Sequence, residues 1–218
     1  MANRPHAYIP PLRFHWLTRF YDPFLRATLK GEKFKALLIE QARITPGQRV
    51  LDLGCGTATL TIMIKRRCPD ATVVGLDADA AALALARGKV AAAGVDVELH
   101  HGLASSAPFE PASFDRIVSS LLFHHLTTEH KRLTLKKARE LLRPGGELHV
   151  ADWGKPQNAL MRLAYVVVQL LDGFRTTSDN LRGLLVPLIQ EAGFAGVSET
   201  HREMTVFGTL SFYRAVRP

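Results

Sequence analysis

Apolar positions along the chain come in two spacings, short near-continuous runs and longer stretches with a helical repeat, and the two alternate. Val50, Leu51 and Leu53 predict a short buried strand that carries Asp52 at its end. Residues 57–65 predict a helix, 71–76 a second strand closed by Asp77, and 80–93 an alanine-rich helix stopped by Gly94. A third strand over 95–100 and a fourth over 116–120 follow. A helix over 127–142 ends at Arg-Pro-Gly-Gly, and a fifth strand occupies 147–152. Beyond it lie an apolar helix over 158–171 and a helix over 178–192 with Gly193 as its stop. Residues 197–205 and 209–216 alternate as an antiparallel pair around Phe207-Gly208. Strand–helix alternation that finishes in a hairpin predicts an α/β fold, a doubly wound seven-stranded sheet that is mostly parallel.

Ahead of the first strand the pattern is helical. Residues 6–11 are held extended by prolines, and 12–21 predict an aromatic-rich helix with Trp16 and Phe20 on one face. Asp22-Pro23 restarts the helix, Gly31 stops it, and 32–43 form an amphipathic helix with Phe34, Leu37, Leu38 and Gln41 at helical spacing. Residues 1–45 are expected to act as a helical lid, 46–153 as the ligand-binding core, and 154–218 as substrate-shaping helices with the terminal hairpin.

The most informative stretch is Arg-Val-Leu-Asp-Leu-Gly-Cys-Gly-Thr-Ala-Thr-Leu, residues 49–60. Strand, glycine turn and helix in succession open a nucleotide-binding unit, because glycine lets the backbone turn tightly and a ligand approach without a Cβ in its way. A dinucleotide site would carry a third glycine where Thr59 stands. The acid two residues before Gly54 would repel a pyrophosphate and suits a ligand bearing an ammonium group. Asp77, 21 residues after Gly56, is placed at a second strand end, where a carboxylate can accept two ribose hydroxyls. Asp79 fits a helix N-cap.

Asp-x-Gly-x-Gly resembles motif I of the class I S-adenosylmethionine (SAM)-dependent methyltransferases, a Rossmann-like family. The block Ala-Arg-Glu-Leu-Leu-Arg-Pro-Gly-Gly-Glu-Leu-His-Val-Ala-Asp-Trp resembles the family's closing motif. Within the family the chain is similar to the quinone-biosynthesis methyltransferases, and the likeness covers roughly residues 48–153. The resemblance implies SAM as cofactor, held by Asp52, Gly54, Cys55 and Gly56 in the first turn and by Asp77 and Ala78 in the second. It also implies contacts from Leu103, Ala104 and Ser119. Tyr21-Asp22 resembles a Tyr-Asp pair that lies near the cofactor in the quinone enzymes; packing of the front helix is the other use for these side chains. Two positions depart from the family pattern. Ala58 stands where a third glycine is common, and Leu103 stands where an aspartate often holds the adenine amino group, leaving that contact to the backbone of Leu103 and Ala104.

Composition narrows the rest. The chain has 218 residues, 47% hydrophobic and 22% charged, which suits one globular domain. The longest apolar run, 163–171, falls short of a membrane span, and no signal peptide is evident. Two cysteines give no disulfide framework, so a cytoplasmic location with reduced thiols is expected. Cys55 is expected to fill space rather than act as a nucleophile. Formal net charge is +8, and residues 1–49 hold nine basic side chains against three acidic ones. That imbalance fits either an anionic partner, such as a membrane surface touched peripherally, or a solvated helical face.

Methyl transfer from a sulfonium needs collinear positioning in a dry site, and a base only when the acceptor must lose a proton. His124, just after the fourth strand, is the candidate base; a polar helix entry is the other use for His124 and His125. Asp152-Trp153 is placed to line an acceptor site or to cap a turn. No metal site is expected, because the histidines lack zinc-ligand spacing. The reading is a SAM-dependent methyltransferase for a hydrophobic small molecule or a lipid-like acceptor, a quinone ring or a phospholipid amine. A non-catalytic SAM-binding or scaffold protein is the alternative. Nucleic-acid methylation ranks lowest, since Ser-Ser-Leu-Leu follows the fourth strand in place of an Asn/Asp-Pro-Pro-aromatic run.

Overall fold

A computed structural model describes residues 31–157, 161, 162, 165, 174–205 and 208–218. Tyr21 and Asp22, most of the apolar helix expected over 158–171, and Phe207 lie outside the described residues.

Among the described residues, seven strands form one sheet. In chain order the elements are α1 (Gly31–Ala42), β1 (Arg49–Leu53), α2 (Thr59–Arg67), β2 (Thr72–Asp77), α3 (Ala80–Ala93), β3 (Glu98–His101), β4 (Phe114–Ser120), α4 (Thr128–Leu141), β5 (Leu142–Trp153), α5 (Phe174–Leu181), α6 (Leu185–Glu191), β6 (Ala195–Thr205) and β7 (Gly208–Val216). The sheet order is β3-β2-β1-β4-β5-β7-β6. β1 to β5 pair in parallel, and β7 runs antiparallel between β5 and β6.

Side-chain alternation explains why both faces are covered. Leu51, Val74, Ile117 and Val150 point to one face and pack with Leu135 and Ala138 of α4 and with Leu188 and Ile189 of α6. Their sequence neighbours Val50, Val73, Val118 and Ala151 point to the other, against Phe34 and Leu38 of α1 and Leu60 and Ile64 of α2. The chain lays strands outward in one direction from β1 to β3 and in the other from β4 onward, and this switch between the parallel neighbours β1 and β4 opens a crevice at the carboxyl edge there.

Two expected elements differ. The helix expected over 178–192 is two helices, α5 and α6, separated at 182–184, where Gly183 takes φ 72°. The strand expected from 147 begins at Leu142, because Arg143–Gly146 bulges while Gly145 and Gly146 exchange backbone hydrogen bonds with Arg217.

Candidate functional site

Period-two alternation places Asp52 on the same face as Val50, under α1 and α2. Its carboxylate is fully buried. The Thr61 hydroxyl of α2 donates to Oδ2 at 2.7 Å, while Oδ1 has no hydrogen-bond partner among the described residues. Burial pushes the Asp52 pKa up to about 6, against the Thr61 hydrogen bond and the field of Lys35. Lys35, counted above among the wet positive charges of the front segment, is a buried side chain of α1. Arg49 is likewise engaged, its guanidinium 4.6 Å over the Phe114 ring.

The turn after Asp52 is built by left-handed backbone. Gly54 takes φ 77° and Gly56 φ 54°. Gly54 and Cys55 donate their N–H groups to the Leu76 carbonyl at 2.8 and 3.0 Å, which folds the turn onto the end of β2. A Cβ on Gly54 would stand 2.9 Å from the Leu122 side chain, whereas one on Gly56 would meet nothing within 4 Å. Gly56 therefore faces open space above the sheet. Ala58 adopts φ 61° with its methyl fully buried, doing as an alanine what a glycine does without strain. The Cys55 thiol is buried against Gly75, and burial followed by the charges of Asp52 and Asp77 pushes its pKa up, so it stays a neutral thiol.

Asp77 ends β2 and ties the two turns together. Its Oδ2 accepts the Gly56 N–H at 2.7 Å and its Oδ1 accepts the Asp79 N–H at 2.8 Å. Burial raises its pKa, while those backbone hydrogen bonds pull it down. Each oxygen retains a second lone pair. Asp79 caps α3 by accepting from Ala81 and Ala82, as expected. On the neighbouring strand β3, the His101 Nε2 lies 3.1 Å from the Ala78 carbonyl. Leu103 leads into a short 3-10 turn, Ala104–Ser106, and its side chain is exposed.

At the ends of β4 and β5 the polar groups are buried and interlocked. The Ser119 hydroxyl donates to the Leu53 carbonyl at 2.8 Å. Leu121, at φ 56°, swings the chain into a 3-10 turn, Phe123–His125. Asp152, fully buried at the end of β5, takes five donors. Oδ2 accepts the N–H groups of Phe123 at 2.7 Å and His124 at 3.3 Å. Oδ1 accepts the Trp153 N–H at 2.7 Å, the Asn180 amide at 3.3 Å and the His124 imidazole Nδ1 at 2.7 Å. Of the two uses foreseen for Asp152 it performs the cap, and it also grips the histidine. A carboxylate only accepts, so Nδ1 carries the proton. His125 lies against His124, ring centroids 3.9 Å apart and planes tilted by 41°; burial and then that neighbour pull its pKa down. Trp153 meets His124 edge-on at 6.4 Å.

Sequence reasoning singled out the strand-end acids, the glycines and His124, which the fold brings to the carboxyl edge. It missed Thr61, Lys35 and Asn180, which reach these groups from three helices. Only the nine-residue step from Asp52 to Thr61, one strand, one turn and one helical turn, carried a local signal.

The carboxyl edge thus offers an ionisable acid with an unsatisfied oxygen, a bare glycine turn, a second acid with spare lone pairs, and a carboxylate-bound imidazole. A methyltransferase-domain family model matches residues 50–146. An uncharacterized methyltransferase from Synechocystis is 32% identical over 85% of this chain and 85% of its own length. A demethylmenaquinone methyltransferase from Thermus thermophilus is 35% identical over 78% of this chain and 83% of its own. Among solved structures, the SAM-dependent methyltransferase SibL is 25% identical with a TM-score of 0.68; the match covers 84% of this chain and 54% of that one, so this chain spans about half its length.

Proposed function

This chain belongs to the class I SAM-dependent methyltransferases, with SAM as its methyl donor, and we propose that it methylates a ring carbon of a reduced quinone. The cradle fits that donor on its own terms. The unsatisfied Asp52 Oδ1 suits the donor's ammonium group, the open face of Gly56 admits its backbone, and the spare lone pairs of Asp77 suit its ribose hydroxyls. In this reading Ala78, Leu103 and Ala104 take the base, Leu103 with its exposed apolar side chain, and Ser119 acts through the Leu53 carbonyl to which its hydroxyl donates.

One observation carries the acceptor: the 2.7 Å contact between His124 Nδ1 and Asp152 Oδ1. A donor-bound methyl group is electrophilic without help, so a neutral amine needs no base, whereas a hydroquinone becomes a carbon nucleophile on losing a hydroxyl proton. His124 Nε2 takes that proton, and Asp152 steadies the imidazolium. SAM bound in the cradle would supply the methyl group to that ring carbon, its sulfur keeping the electron pair of the bond given up. Loss of the ring proton at that carbon restores aromaticity. Likeness to the Thermus demethylmenaquinone methyltransferase supports the same chemical class.

The test is transfer of labelled methyl from SAM to a short-chain prenylated 1,4-naphthohydroquinone kept reduced, with phosphoethanolamine as the contrasting acceptor. Carbon-methylated naphthohydroquinone is expected, and His124→Gln should lower its rate about 10²–10⁴-fold. Methylation of the amine and not of the ring carbon would overturn the assignment. A lipophilic quinone also implies work beside a membrane surface, which the basic front segment supports. Sedimentation with anionic vesicles at low and physiological salt tests that contact.

A further inference from the structure

We propose that Asn180 is a positioning residue that fixes the carboxylate of Asp152, and through it the tautomer of His124. This rests on the proton-accepting role given to His124 above.

Asn180 lies on α5 with its side chain buried. Its amide nitrogen donates to two acceptors at once, the Trp153 carbonyl at 2.8 Å and Asp152 Oδ1 at 3.3 Å. Both neighbours are acceptors, so the amide has one permissible orientation. Its Oδ1 has no hydrogen-bond partner among the described residues. A buried amide that leaves one end unsatisfied in order to bridge a main-chain carbonyl and a carboxylate is held for the bridge, not for its own solvation. The bridge sets the rotation of Asp152 about its side chain, and that rotation determines whether Oδ1 faces His124 Nδ1.

α5 is itself anchored by charge. Asp179, the residue before Asn180, accepts from Lys131 at 3.2 Å and from the Thr128 hydroxyl at 2.6 Å, both on α4. Lys131, fully buried, also donates to the Thr176 carbonyl of α5 at 2.8 Å. Burial pulls the Lys131 pKa down, and the fields of Asp179 and Asp152 hold it up. An ion pair this enclosed tolerates little displacement, because either charge left alone would be stranded in an apolar surrounding. Adjacent residues of one helix thus lock it to α4 and aim an amide at the end of β5. Asn180 touches neither donor nor acceptor in this scheme; it acts through Asp152.

The experiment uses full-length protein labelled with 15N-histidine, the His124 signal being picked from the nine histidines by its loss in His124→Gln. Wild-type His124 is expected as the Nδ1–H tautomer with a strongly downfield proton. Asn180→Leu should convert it to a mixture of tautomers and lower kcat on the naphthohydroquinone about tenfold, with the KM for SAM unchanged. Asp152→Asn sets the limit of the tautomer change. Asn180→Ser, which keeps one donor, should fall between and decides the matter if the leucine variant does not fold. A folded Asn180 variant with the wild-type tautomer would overturn the proposal. If instead the tautomer shifts while His124→Gln leaves methyl transfer intact, the positioning role stands and the base assignment falls.

Discussion

The Asp77 carboxylate and the Gly56 N–H, 2.7 Å apart, join the end of β2 to the glycine turn after β1. Asp77, proposed above for the ribose, is therefore also a clasp between two loops. Asp77→Ala strands the Gly56 and Asp79 N–H groups, each part-buried, and is expected to cost about 1–3 kcal/mol of stability. Loss of the paired acceptors for the ribose should weaken SAM binding at least about 100-fold. Asp77→Asn keeps one acceptor oxygen and should lie between on both measures. Differential scanning calorimetry and isothermal titration with SAM read the two effects separately; an alanine variant that binds SAM at wild-type affinity would refute the ribose role.

The two glycines of the turn should fail differently. Gly54→Ala drives a Cβ to within 2.9 Å of Leu122 and adds the left-handed penalty at φ 77°, so it is a folding lesion of about 2–4 kcal/mol. Gly56→Ala meets no neighbour and carries only the left-handed penalty, about 1–2 kcal/mol. Its methyl projects into the space through which the donor approaches, so its loss of SAM affinity should exceed tenfold in protein that still folds. Thermal melts paired with titrations distinguish the two; equal melting temperatures would contradict the packing argument.

How far the site is legible in the sequence follows from what each residue depends on. Asp52, Gly54, Gly56 and Asp77 announce themselves because strand end, turn and acid recur within one βα unit. The α3 boundaries, Ala80 to Ala93 with Asp79 and Gly94 as caps, are local chemistry and are met to the residue. Helix α5 is different: the break before α6 comes from Gly183 taking a left-handed turn inside what reads as one apolar pattern. Lys35 is the clearest case of tertiary override. On its own helix it looks like one more surface cation, and only the packing of α1 over β4 and β5 turns it toward Asp52. The grip of Asp152 on His124 joins residues 28 apart through parallel strand register, which no local pattern encodes.

SAM affinity should depend on pH through Asp52. With a pKa near 6 in the ligand-free protein, the carboxylate is ionised at pH 8 and largely protonated at pH 5. A neutral acid cannot pair with an ammonium group, so the donor must displace a proton below pH 6. Its dissociation constant is expected to be flat from pH 8 to 7 and to rise toward tenfold per unit below 6. Asp52→Asn should bind weakly at all these values and lose the pH dependence. Titration calorimetry across the range checks this, and a wild-type profile that stays flat to pH 5 would count against the ammonium role.

Two of the buried groups that shift stability in mild acid, His149 and Asp52, pull in opposite directions. His149, fully buried on β5, has its Nδ1 3.1 Å from the Gln41 amide and its Nε2 3.0 Å from Glu147. Burial depresses its pKa to about 4, against the charge of Glu147. Between pH 6.5 and 4.5 the unfolded chain takes up a proton that the native state refuses, so this group removes stability as pH falls, by about 2–3 kcal/mol. Asp52, with its native pKa raised to about 6, does the reverse. The native state binds a proton from pH 6 downward that the unfolded chain does not yet bind, which adds about 2 kcal/mol by pH 4.5. His149→Leu is therefore expected to gain on the wild type as pH falls from 8 to 4.5, with Gln41 still donating to the Tyr213 carbonyl at 2.9 Å. Asp52→Asn should lose ground on the wild type over the same range, having started ahead of it at pH 8, where the buried charge is a burden. Urea melts of the three proteins at pH 8, 6.5, 5.5 and 4.5 measure both differences, and parallel curves would refute the assignment of these two groups as the source of the pH dependence.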